Sequence, residues 1–313
     1  MDTKSKLPLI VIVGPTAAGK TAVSIALAER LEGEVVSADS RYLYRGMDIG
    51  TAKPTAEEMR GIPHHLIDVA DPEETWSLAV YQRQAYQVID AIHSRGKLPI
   101  LVGGTGQYVR AIIEGWRIPP QAPDPGLREA LNRWAEEIGA EAFHARLRRL
   151  DADAADLIDY RNVRRVVRAM EVIFHTGERF SDLRRKQECP YMPILLGISR
   201  EREELYQRID QRIDLMLADG LVAEVAGLLA AGYAPDLPTM SAIGYGEIIQ
   251  YLQGEISLEE AVALIQRNTR VFVRRQANWF KQDDPRIQWF EAEDDMVDRM
   301  EKEIRSRLNE LRK

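Results

Sequence analysis

The chain has 313 residues, 45% of them hydrophobic, and a formal net charge of −7 at pH 7; that is apolar material enough for a sizeable core, in one large domain or two of ordinary size. No apolar run approaches the roughly 20 residues of a bilayer crossing, and "PLIVIV" is too soon interrupted by Gly14 and Pro15 for a secretory leader, so a membrane partner is not expected and the cytoplasm is. The single cysteine, Cys189, excludes an intramolecular disulfide framework and a multi-cysteine zinc site.

The first predicted strand, "LIVIV", runs into "GPTAAGKT", where Gly14, Pro15, Thr16, Ala17, Ala18, Gly19, Lys20 and Thr21 fit G-x-x-x-x-G-K-[ST] ahead of the helix-like "TAVSIALAERL". In such a loop glycines let backbone N–H groups close around phosphate oxygens, the lysine adds positive charge, the threonine hydroxyl can ligate Mg²⁺, and the helix N-terminus favours an anion. The motif identifies the anion and not the reaction; an ATP-binding label follows from pattern alone.

Further strands are expected at "EVVSA", "HLIDV", "LPILVG" and "PILLGI", with helices between them, which argues for a parallel α/β sheet. A nucleotide hydrolase adds a strand ending in a magnesium-holding acid. Here "LPILVGGTG" ends in Gly103, Gly104 and Thr105, while the acid stands after the second strand, at Asp39 beside Ser40. The C-terminal strand ends of a parallel sheet form the ligand crevice, so the loop, Asp39 and Thr105 should converge there. Asp39 either serves a ligand or caps the turn that follows it, and "GGTG" is either a close approach or a tight turn.

The Pro-rich stretch 117–126 opens a segment of helical character that lasts to about Gln187 before the chain returns through "CPYMPILLGI". This predicts an insertion domain at 119–189 in a core formed by 1–118 and 190–313. The negative net charge is unevenly spread: residues 161–186 carry eight Arg or Lys against three acids, and 267–281 carry five against none. In 161–175, Val163, Val166, Val167, Met170 and Phe174 are spaced as one apolar helix face, leaving Arg161, Arg165 and Arg168 in a row. That row is either a solvated face or a surface for RNA phosphates. The last third reads as helices, among them "REELYQRIDQRIDLMLADG" and "SLEEAVALIQRNTRVFVRRQANWF", with a charged tail. Trp279 and Phe280 are expected in the core, and the adjacent His64 and His65 as structural residues.

Nine ordered blocks, "GPTAAGKT", "SADSRYLYRGMDIGTAKP", "PHHLIDV", "LVGGTGQYVRAI", "RVVRAMEV", "LYQRIDQRIDLML", "GLVAEV", "AIGYGE" and "TRVFVRRQANWF", resemble the tRNA dimethylallyltransferases over nearly the whole chain. The resemblance implies a P-loop NTPase-like parallel sheet flanked by helices, with an all-helical insertion domain for tRNA. It implies transfer of a dimethylallyl group from dimethylallyl diphosphate to N6 of adenosine 37, beside the anticodon of tRNAs that read codons beginning with U, with Mg²⁺ on Thr21 and no further cofactor. By matching position, Asp39 is the general base; Lys20, Thr21 and Arg212, with Arg208 a helical turn earlier, face the diphosphate; and Asp39, Ser40, Arg41, Tyr42, Thr105, Arg128, Arg164, Arg165, Val166, Val167 and Arg168 contact the tRNA anticodon stem-loop. Without the resemblance, Arg212 reads as a surface ion-pair partner of Asp210 or Asp214.

The sequence departs from the pattern in two places. Tyr42 and Leu43 stand where the family commonly has Gln-Val, and Phe272-Val273-Arg274-Arg275-Gln276 stands for Tyr-Ala-Lys-Arg-Gln. With no Cys2His2 finger after the catalytic region, the chain resembles the short bacterial form, expected to act as a monomer. Two rival readings share the loop: a cytokinin-type enzyme that prenylates free adenine nucleotides, against which the arginine-bearing insert argues, and a small-molecule P-loop kinase, which would bind ATP and transfer its γ-phosphoryl group.

Overall fold

The computed structural model describes residues 6–118, 124–183 and 188–311; residues 119–123, within the Pro-rich stretch, and 184–187, within the basic run that starts at Arg161, lie outside the described residues. Contacts between Cα atoms divide the chain into two compact units: Met1–Trp76, Tyr81–Ile113 and Pro190–Lys313 form one, Ser77–Val80 and Glu114–Cys189 the other.

The larger unit is built on a sheet of β1 (Leu7–Val13), β2 (Gly33–Ser37), β3 (His64–His65), β4 (Leu98–Val102), β5 (Tyr191–Ser199) and β6 (Ile287–Glu291). The spatial order is β3-β2-β4-β1-β5-β6 and every pairing is parallel. Strand β1 lies in the interior with Leu9 to Val13 fully buried. That is why it reads as an unbroken apolar run: helices cover both faces of a parallel sheet, and no face is left for polar residues. Its register, Ile10 opposite both Ile100 and Ile194, brings the C-terminal ends of β1, β4 and β5 level. The crevice therefore opens where Val13 hands over to the glycine-rich loop.

Two strand expectations needed correction. "HLIDV" supplies only one ladder residue, His65, which pairs together with the preceding His64, because Leu66 (φ 61°) and Asp68 (φ 54°) adopt left-handed backbone that turns the chain out of the sheet. The chain then runs back beside the 42–44 segment, with Asp68 N–H donating to the Tyr42 carbonyl and Val69 N–H to that of Leu43. Conversely, β6 sits in the stretch read as charged tail; "IQWFE" buries Ile287 and Phe290, and its Trp289 fills the space left by Gly197 on β5.

The smaller unit is helical. Its helices Pro125–Ile138, Ala140–Leu150, Ala152–Leu157 and Val163–Thr176 start at Asp124, Gly139, Asp151 and Asn162, three of which cap with a side-chain oxygen. Leu131, Phe143, Leu147, Val166, Val167 and Met170 form its core, with Trp134 set edge-on to Phe143 at 5.4 Å. Of the five residues spaced as an apolar face, Phe174 does not join it and is 51% exposed. Among the described residues no helix is long and apolar enough to cross a membrane.

Candidate active site

The loop after β1 holds its shape through bonds that reach across the chain. Lys20 Nζ donates to the Pro15 carbonyl at 2.8 Å, curling the side chain back over the loop. Arg208 Nε donates to the Ala17 carbonyl at 2.9 Å, and Arg200 Nε to that of Ala18 at 3.1 Å. These carbonyls point outward onto arginines, which is the arrangement that leaves loop N–H groups facing the concave side. Two loop N–H groups are committed to the protein: that of Thr16 donates to Gln276 Oε1 at 2.8 Å and that of Ala18 to the Pro15 carbonyl at 3.3 Å. Gln276 is 4% exposed and its Nε2 donates to the Gly104 carbonyl at 3.1 Å. One carboxamide thus ties the phosphate loop to the "GGTG" turn.

That turn meets the segment after β2. A Cβ on Gly103 would lie 2.2 Å from the Ala38 carbonyl oxygen, which only glycine avoids. The close approach lets Ser40 N–H donate to Thr105 Oγ1 at 3.0 Å, while Thr105 N–H donates to the Ala38 carbonyl. Asp39 Oδ1 accepts from Arg41 N–H at 2.9 Å. One Asp39 oxygen therefore caps the turn, as one of the two readings expects, and the carboxylate lies close enough to Lys20 and Tyr42 to act on their charge. Burial pushes the Lys20 ammonium down to about 8, with Asp39 pulling it up and Arg212 pressing it further down. It is still mostly protonated at neutral pH.

Arg212 does not pair with Asp210, whose carboxylate takes Arg270 at 2.6 Å; its Nη2 donates to the Ala52 carbonyl at 3.2 Å. Tyr42 donates to the same oxygen at 2.8 Å. The segment that carries Ala52 is fixed from below, where Glu224 accepts from the N–H groups of Asp48, Ile49 and Gly50 and from the Tyr245 hydroxyl. Lys53, its ammonium buried, bonds Tyr44 O, Asp48 and Asp68.

The loop, Asp39, Ser40 and Thr105 thus gather at the C-terminal ends of β1, β2 and β4, as the rule about strand ends requires, and Arg208 and Arg212 reach the Ala17 and Ala52 carbonyls from the helix Arg202–Ala218. Thr21 and Asp39 offer hard oxygen donors, and no group of three His, Cys, Asp or Glu that could cage a metal occurs among the described residues. That donor set fits Mg²⁺, which takes one or two protein oxygens and completes its shell with phosphates and water. His65 bonds Glu34 at 2.7 Å and His64 the Ile62 carbonyl, the structural roles expected of them.

In the helical unit, Arg164 and Arg165 are exposed. Arg128 and Arg168 lie against the fully buried Glu171, at 2.9 and 2.7 Å. Burial opposes ionisation of Glu171, but Arg168, the Asp124 N–H and Arg128 outweigh it and hold the carboxyl below its usual value. Val166 and Val167 correct the list of RNA contacts: they are 0% and 4% exposed, because the period that puts the arginines outside puts the valines in the core. Sequence reasoning missed Arg200, Gln276, Glu171 and Glu224. Arg200 stands two residues past the end of the predicted strand "PILLGI", a position that could have drawn attention to it; the other three act through partners distant in sequence.

A family model described as IPP transferase matches residues 42–283. The chain belongs to the tRNA dimethylallyltransferase family. Relatives named tRNA dimethylallyltransferase extend the match to the phosphate loop: that of Thermomicrobium roseum is 47% identical over 308 residues, covering 97% of this chain and 93% of the relative. That of a Roseiflexus species is 52% identical over 275 residues, covering 88% and 90%. The structure of the tRNA isopentenylpyrophosphate transferase from Bacillus halodurans superposes with a TM-score of 0.73 at 43% identity, covering 98% of both chains. A eukaryotic dimethylallyltransferase captured acting on tRNA gives 0.79 at 28% identity, covering 92% of this chain and 74% of that one. Members of this family are prenyltransferases, and the parallel sheet with its phosphate loop is the family's fold.

Proposed function

We propose that this prenyltransferase moves a dimethylallyl group from dimethylallyl diphosphate to N6 of adenosine 37 in tRNAs reading codons that begin with U, in the cytoplasm and as a monomer. The observation that supports the reading is the meeting of a phosphate loop with a carboxylate just past β2, where β4 is followed by glycines and not by an acid: Lys20 and the loop on one side, Asp39 on the other, Thr105 and Ser40 bonded to each other between the two strand ends.

The reaction breaks the C1–O bond of the allylic diphosphate, whose electron pair leaves with the diphosphate, and forms a C1–N6 bond. Charge grows on the departing oxygens, and protonated Lys20, Arg212 and the loop N–H groups other than those of Thr16 and Ala18 stabilise it. Thr21 would hold Mg²⁺, which would supply further neutralisation of diphosphate charge. The exocyclic amine is a poor nucleophile until it sheds a proton, and Asp39, oriented by the Arg41 N–H, accepts it. An adenine stacked within a loop cannot reach such a crevice, so the base leaves its stack to react. Arg128, Arg164, Arg165 and Arg168 give an acidic chain a positive patch for RNA phosphates, on the helical unit proposed as the tRNA-binding domain.

The test is incubation with isotopically labelled dimethylallyl diphosphate, Mg²⁺ and either unmodified tRNA or AMP, followed by digestion and identification of the labelled nucleoside, with Asp39→Ala in parallel. Label on adenosine 37 only, lost in the variant, supports the reading. Label on AMP moves the chain to the cytokinin type, and phosphoryl transfer from ATP to a small molecule without prenylation makes it a kinase.

A further inference from the structure

Tyr42 stands where the family pattern commonly has glutamine, next to the residues that resemblance assigns to the target base. Its hydroxyl, however, is directed at the other half of the crevice. It donates to the Ala52 carbonyl at 2.8 Å, and Arg212 Nη2 donates to that same oxygen at 3.2 Å. Two donors, a phenol and a guanidinium, thus share one acceptor. That acceptor is rigidly held: Ala52 sits in left-handed backbone (φ 55°), between the three N–H groups gathered by Glu224 and the buried ammonium of Lys53.

With its proton fixed on Ala52, the phenol oxygen presents its lone pairs elsewhere, and the side chains of Thr21 and Arg212 are the neighbours within hydrogen-bonding reach. A phenol whose own proton is engaged can only accept, and what this oxygen can accept is the Thr21 O–H and an Arg212 N–H. A threonine hydroxyl whose proton is taken in this way has its own lone pairs turned to the remaining side, where a hard cation would take them; a guanidinium pinned at one N–H has its other donors aimed as a set.

We propose that Tyr42 is a positioning residue for the diphosphate half of the reaction, orienting Thr21 and Arg212 through its phenol oxygen, rather than a polar contact of the flipped base. The proposal rests on the reading of the crevice as a diphosphate site. It makes the departure from the family pattern a change in how the leaving group is held.

The test is Tyr42→Phe, which removes the oxygen and keeps the ring. Calorimetric binding of inorganic pyrophosphate with Mg²⁺, in the absence of RNA, should weaken by about tenfold, the effect of one hydrogen bond in a charged setting. The Mg²⁺ concentration for half-maximal pyrophosphate binding should rise, while affinity for an unmodified anticodon stem-loop stays within about twofold. In steady state the KM for dimethylallyl diphosphate should rise and that for tRNA should not. Tyr42→Phe and Arg212→Ala combined should lose less than the sum of their separate effects, since one acts through the other. Unchanged pyrophosphate affinity overturns the proposal, as does a loss confined to the stem-loop, which would return Tyr42 to the base. If the wild-type chain itself binds no pyrophosphate, the diphosphate reading fails first and this one with it.

Discussion

Lys20→Met should make the ligand-free protein more stable at neutral pH while removing its affinity for diphosphate. The Lys20 ammonium is charged at pH 7 yet partly buried, and its folded-state value of about 8 lies below the 10.5 of an unfolded chain. A folded value below the unfolded one means that folding disfavours the proton. Below pH 8 both states hold it and the folded state bears the whole penalty, about 3 kcal/mol. Between pH 8 and 10.5 the unfolded chain binds more protons, so wild-type stability rises relative to the variant; above that range the difference vanishes. Losing the 2.8 Å bond to the Pro15 carbonyl offsets about 1 kcal/mol of the gain. The net of about 2 kcal/mol corresponds to a rise in Tm of about 3 °C for a chain of this length. Thermal unfolding of both proteins, followed by circular dichroism from pH 7 to 10, measures it. With pyrophosphate and Mg²⁺ at a hundredfold excess over Kd the wild type gains about 2.7 kcal/mol and the order reverses. A variant no more stable than wild type at pH 7, or a gap that does not close toward pH 10, refutes the account of Lys20 as a strained, ligand-ready charge.

Other substitutions probe the remaining supports. Gln276→Leu leaves the Thr16 N–H and the Gly104 carbonyl without partners, and denaturant unfolding should show a loss of about 2–4 kcal/mol, with a raised KM for dimethylallyl diphosphate in what still folds. Glu171→Gln removes the buried charge facing Arg128 and Arg168 and should destabilise the helical unit by about 3 kcal/mol, read as earlier proteolysis within 124–183. Gly106→Ala would set a Cβ 2.1 Å from Trp279 Cγ, so the tryptophan must move; a loss of about 1–3 kcal/mol in thermal unfolding and a shifted fluorescence maximum are expected. Asp39→Asn should lower kcat by about 10²–10⁴-fold with pyrophosphate affinity nearly unchanged, the signature of a lost base.

What could be read beforehand was whatever announces itself locally. The phosphate loop, the apolar strands β1, β2, β4 and β5 and the capped helices carry their signals within a dozen residues. The meeting of Ser40 with Thr105 followed from one rule about strand ends. Residues that act across long separations were harder. Gln276 sits on the inward side of an amphipathic helix where glutamine looks like a surface residue, and nothing near it in sequence says that its carboxamide lies between two glycine-rich turns. Arg128 and Arg168 read as free cations because Glu171, the acid that holds them, is buried by tertiary packing. The short β3 was overread since "HLIDV" has strand composition and its left-handed residues have no glycine to mark them. Resemblance to the family places Tyr42 among the tRNA contacts with Asp39, Ser40 and Arg41, and only the direction of its hydroxyl separates it from them.

The bond between Thr16 and Gln276 spans 260 positions. A ribosome making this chain completes the whole phosphate-loop motif within its first few dozen residues, yet the loop lacks its buried clamp until the helix Leu258–Ala277 has emerged. Any nascent or truncated chain that stops short of Gln276 carries the full signature without a finished site. The shape of this loop is in this sense among the last parts of the molecule to be fixed, long after its sequence is complete.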